Sequence, residues 1–142
     1  MNKVEFSADT GAPRIIIQSN PSWEQWVDIC EAVWVTALEG GCNYWMDRID
    51  AGDHDIKDGV TCIKNVPIKV YHGADGHDYW MKGSIENAEV TTGKSLDVVV
   101  DGINGMSDHM KMLVMNPYTC DIDAEIADQI VQTGLFGSAV YG

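Results

Sequence analysis

The chain has 142 residues and a mass of 15.6 kDa, the size of one domain and enough to bury a core without disulfide or metal staples. Its 45% hydrophobic content argues against disorder, and no apolar run approaches the ~18 residues of a membrane span. Nine Lys and Arg face 22 Asp and Glu for a formal charge of -13, a balance that disfavours both nucleic-acid binding and adhesion to an anionic membrane.

The opening MNKVEFSADT has no apolar h-region, so a soluble, cytoplasmic domain without a signal peptide is expected. Pro13–Gln18 reads PRIIIQ, and its three β-branched residues predict a short buried strand. Ser22 then opens S-W-E-Q, a capping box with Gln25. Trp23, Trp26, Val27, Cys30, Val33, Trp34, Ala37 and Leu38 follow at helical spacing. This predicts a helix over about 22–39, ended by a left-handed glycine at Gly40 or Gly41. Residues 43–50 read as a strand, as do 60–63 and 66–71, with Pro67 marking an edge. Tyr79–Lys82 and Ser84–Val90 read as a hairpin around Gly83.

After Lys94 the period becomes helical. Leu96, Val99, Val100, Ile103, Met106 and Met110 share one face. A last helix is expected over about 121–132, with acids in its first turn and Gly134 as its stop. The expected architecture is a single α+β domain over residues 1–142, with about three helices packed on a small antiparallel sheet.

Several motifs bear on chemistry. Cys30, Cys42, Cys62 and Cys120 form no C-x-x-C, so reduced thiols are expected, with Cys30 in the core. Ala88-Glu89-Val90-Thr91-Thr92-Gly93-Lys94-Ser95 matches a relaxed phosphate loop, but a solvated lysine at a capped helix start is the simpler reading. Asp50, Asp53, Asp55 and Asp58 punctuate a Gly-containing loop without the EF-hand spacing, and a solvated acidic loop is expected there, with no metal. His54, His72, His77 and His109 show no paired spacing. No G-x-S-x-G occurs, and no catalytic constellation emerges, so neither an enzyme nor a cofactor is expected.

Two segments carry a resemblance. One is Glu39-Gly40-Gly41-Cys42-Asn43-Tyr44-Trp45; the other is Asp123…Ala127-Asp128…Gln132…Phe136-Gly137…Tyr141-Gly142. Together they resemble a family of small, mostly uncharacterised proteins encoded by tailed bacteriophages and prophages. The matched motifs cover about a fifth of the chain, in an order and separation that fit its whole length. The resemblance implies a phage origin, action in the host cytoplasm and one compact domain.

Three function classes follow: a binding protein for a small anionic or aromatic metabolite, an acidic inhibitor or DNA mimic acting on a host defence or DNA-binding enzyme, and an enzyme. The first is the expectation taken here, a non-catalytic sponge for a nucleotide-like immune signal. Tyr44 or Trp45 would stack on a base, Arg48 would pair with a phosphate, and Lys82 and Lys94 would supply further charge. The apolar residues Leu135, Phe136, Val140 and Tyr141 must pack somewhere, and a homo-oligomer formed through this C-terminal segment is the expected consequence.

Overall fold

The computed structural model describes residues 2–6, 13–17, 21–74, 85–115 and 122–142, the first two spans by backbone alone. Strands β1 (Asn2–Phe6) and β2 (Pro13–Ile17) form an antiparallel hairpin with Val4 opposite Ile15. Helix α1 (Trp23–Thr36) begins at the expected capping box, in which Ser22 accepts from the Gln25 amide at 3.2 Å and returns its own amide to the Gln25 side chain at 2.8 Å.

A π-type turn, Ala37–Gly41, extends α1. Neither Gly40 nor Gly41 takes the left-handed conformation that was expected. Gly41 is needed for space instead, because a Cβ there would lie 2.7 Å from the Ala124 carbonyl oxygen. Strand β3 (Met46–Asp50) follows.

Residues 60–63 are not the expected strand but belong to a short helix, α2 (Gly59–Ile63). Asp58 caps it by accepting from the Val60 amide at 3.0 Å, and Gly59 lets it approach α1, since a Cβ would lie 2.2 Å from the Val27 carbonyl oxygen. Strands β4 (Pro67–His72) and β5 (Glu89–Lys94) complete a second antiparallel sheet of order β3-β4-β5. β4 is the central strand, not an edge. Pro67 is tolerated because it is the first residue. Ile85–Asn87 is a 3-10 turn ahead of β5, and the proposed partner Tyr79–Lys82 lies outside the described residues.

The helical face after Lys94 is divided between two helices, α3 (Ser95–Asn104) and α4 (Asp108–Met115), broken where Gly105 closes the first. Helix α5 (Ala124–Phe136) is capped by Asp123, which accepts from the Ile126 amide at 2.9 Å. It ends at Gly137 in the left-handed conformation (φ 82°), not at Gly134.

The core lies between the helices and the inner face of the β3-β4-β5 sheet, where Val33 and Trp34 meet Val70, Val99, Ile130 and Val131. α3 and α5 cross almost backbone to backbone. A Cβ at Gly102 would lie 2.0 Å from the Ile130 carbonyl oxygen, and one at Gly134 1.9 Å from that of Val98. Gly134→Ala must therefore separate the two helices, and we expect it to destabilise the fold by about 3 kcal/mol in urea unfolding. An unchanged midpoint would show that the close crossing is not required.

Candidate functional site

The two motif segments, far apart in sequence, meet in space. Asp128 projects from α5 towards the turn before β3. Its Oδ1 accepts from the Trp45 indole at 2.7 Å, and its Oδ2 accepts from the Tyr44 hydroxyl at 2.5 Å. Gln132, one turn further along α5, donates to Asp128 Oδ1 at 2.9 Å. Its Oε1 accepts from the Val140 and Tyr141 amides at 2.8 and 2.7 Å. The tail is thereby held as a strap, with the Tyr141 ring stacked on Trp45 at 5.3 Å between centroids and 4° between planes. The Tyr141 hydroxyl lies 2.7 Å from His72 Nδ1, and His72 Nε2 lies 2.8 Å from the Thr91 hydroxyl. Phe136 packs edge-on against both Trp45 and His72.

This cluster decides what the motif residues do. Trp45 is 2% exposed, and its ring is covered by Tyr141 and Phe136, so the base-stacking role expected of it has no open ring face here. Tyr44 is 44% exposed, while its hydroxyl is held by Asp128 and Gln132. Burial of that hydroxyl, then the Asp128 carboxylate, push its pKa up to about 12. Burial, followed by the Asp128 charge, also pushes the Cys42 thiol up. Of the four apolar tail residues, Leu135, Phe136 and Tyr141 pack against the core of their own chain and Val140 is exposed.

The remaining candidate residues lie elsewhere. Side chains alternate along the strands. The inner face takes Ile68, Val70 and His72, and the outer face takes Lys69 and Tyr71. In register, Arg48 stands opposite Tyr71 and Tyr71 opposite Val90; Asp50 stands opposite Lys69 and Lys69 opposite Thr92; Lys94 stands opposite Pro67. Arg48 and Lys94 therefore share one solvent face, together with Lys69, which was not among the expected site residues. Its signal was its place between two apolar positions of a strand, readable only once the strand register was known. The Arg48 guanidinium lies 5.7 Å from the Tyr71 ring centre. Among the described residues, Arg48, Lys69 and Lys94 form no ion pair, whereas Lys57 meets Glu39 at 3.7 Å. Lys82 lies outside the described residues.

Over the far end of this face opens a cleft of about 680 Å³, within the range of small-ligand pockets. Lys69, Lys94, Thr92 and His54 line it, together with Asp50 and Asp53. The phosphate-loop reading fails at this point for a physical reason: residues 89–94 are an extended strand. Nor is the start of α3 open to an anion. The Ser95 amide donates to the Val66 carbonyl at 2.9 Å, and the Leu96 and Asp97 amides both donate to Asn65 Oδ1 at 3.1 Å. The Ser95 hydroxyl is itself bound to Cys62 and Val66 backbone at 2.9 Å each. In the acidic loop Asp50, Asp55 and Asp58 each accept a backbone amide two residues ahead, and no group of three metal-ligating side chains gathers among the described residues.

Comparison with protein-family models, with curated proteins and with solved structures returns no match. Among the described residues no helix is long and apolar enough to cross a membrane.

The raised pKa of Tyr44 has a defined pH window. The unfolded phenol ionises near 10 and the folded one near 12, so its stabilising contribution is complete below pH 10 and is lost as pH rises to about 12. Absorbance titration of the phenolates is expected to show a late step that Tyr44→Phe removes. Asp128→Ala leaves the buried Trp45 N–H without its acceptor and is expected to cost about 3 kcal/mol in chemical unfolding. A loss well below 1 kcal/mol would remove Asp128 from its organising role.

Proposed function

We propose that the protein is a non-catalytic binding module that sequesters a small phosphorylated, nucleotide-like signalling molecule, on the outer face of its three-stranded sheet. The observation that carries this reading is the concentration of charge there. Arg48, Lys69 and Lys94 are three of only nine basic residues in a chain of net charge -13. Two carboxylates, Asp50 of β3 and Asp53 of the loop after it, stand beside Lys69 and Lys94 at the cleft. An acidic protein gains solubility from its remaining surface, while one cleft with a few convergent donors is enough to hold a phosphate. Lys69 and Lys94 supply mobile ammonium groups, and Thr92 adds a hydroxyl. A sponge needs no more than this. Action in the host cytoplasm, implied by the resemblance to phage proteins, belongs to the same proposal.

The overall charge favours a second reading, an acidic inhibitor or DNA mimic that presents its carboxylates to a host enzyme. Titration calorimetry with pyrophosphate separates the two. The binding reading expects saturable uptake, weakened about tenfold by Lys69→Ala at unchanged thermal stability, with the pyrophosphate recovered intact. Absence of uptake, together with competition against duplex DNA for a purified DNA-binding enzyme, would replace it with the mimic.

A further inference from the structure

Resting on the sheet-face reading above, we propose that this face takes a linear nucleotide carrying at least two phosphates, with separate places for its base and for each phosphate. The three strands present their outer side chains in rows. The first row combines a planar cation, an aromatic ring and an aliphatic side chain: the Arg48 guanidinium lies over the Tyr71 ring, and Val90 is 51% exposed beside it. The second row, Asp50, Lys69 and Thr92, combines a cation with a hydroxyl and a carboxylate. The third holds Lys94 opposite Pro67.

Same-face neighbours along a strand stand ~7 Å apart, so Lys69 lies about one such step from Tyr71 and Lys94 about two steps from the Tyr71 row. One step matches the reach from a nucleobase to its 5′-phosphate. Two steps, shortened by the flexible lysine stem, reach a second phosphate in line with the first. A base set against the Arg48–Tyr71 pair stacks on the guanidinium plane that the ring supports, whatever its identity, because every base has a π face. Asp50, beside Lys69 in the second row, is placed to accept a hydrogen bond from a sugar hydroxyl between base and phosphate. A 3′,5′-cyclic mononucleotide folds its phosphate back on the sugar and leaves the third row empty.

Lys94 suits the test, because its side chain makes no capping hydrogen bond to α3 and is exposed. Calorimetry on the full chain compares adenosine monophosphate, adenosine diphosphate, 3′,5′-cyclic adenosine monophosphate and pyrophosphate. The diphosphate is expected to bind about tenfold more tightly than either monophosphate, and Lys94→Ala to abolish that difference. Tyr71→Leu, which keeps apolar bulk on the strand but removes the ring, is expected to weaken the diphosphate about tenfold while leaving pyrophosphate unchanged. Equal affinity for the diphosphate and pyrophosphate, with neither moved by Tyr71→Leu, would overturn the base position and leave the phosphate cleft standing. Failure of pyrophosphate itself to bind would remove the cleft reading as well.

Discussion

The structure depends on one carboxylate. Asp128 gathers the Trp45 indole, the Tyr44 hydroxyl and the Gln132 amide, three donors from two distant parts of the chain. With its amide nitrogen so fixed, Gln132 can turn its oxygen to the Val140 and Tyr141 amides and hold the tail. The Tyr141 ring then covers Trp45, and its hydroxyl reaches His72. His72 is 3% exposed and passes the contact on to Thr91 of β5. A continuous set of polar contacts thus runs from α5 through the tail to the sheet. Each buried polar group in it has a partner, the condition under which such a network stiffens a fold.

That network changes the meaning of the sequence motifs. The residues that catch the eye, Tyr44, Trp45, Asp128, Gln132 and Tyr141, are spent on holding the chain together. Gly41 and Gly137 serve the same end by different means, the first through close approach to Ala124 and the second through a left-handed turn that releases the strap from α5. Arg48, Lys69 and Lys94, which form no ion pair among the described residues, are in the unremarkable stretches of β3, β4 and β5. The inner face of the sheet is tied to the helices and tail, while the outer face, where we propose that binding takes place, faces solvent.

Local signals were legible wherever the physics was local. The capping box at Ser22, the apolar stripe of α1 and the acidic start of α5 were readable because their partners lie within a few residues. The α2 segment misled because five residues rich in β-branched side chains look the same as a strand, and only the Asp58 cap and the Gly59 contact with α1 decide for helix. The start of α3 misled for a remote reason. Its cap is Asn65, which sits at positive φ (56°) some thirty residues earlier and takes the amides a phosphate would need. Lys69 was illegible as a site residue because its neighbours Arg48, Thr92 and Lys94 become neighbours only through strand register.

The division between an architectural inner face and a binding outer face makes a claim about location. A 15.6 kDa chain is suited to amide-resolved NMR titration, and pyrophosphate is the simplest probe. The account predicts shift changes concentrated at residues 50–54, 68–69 and 92–94, with the amides of Trp45, Gln132 and Tyr141 unmoved. Changes centred on Tyr44, Trp45 and the tail, with the sheet face silent, would contradict it.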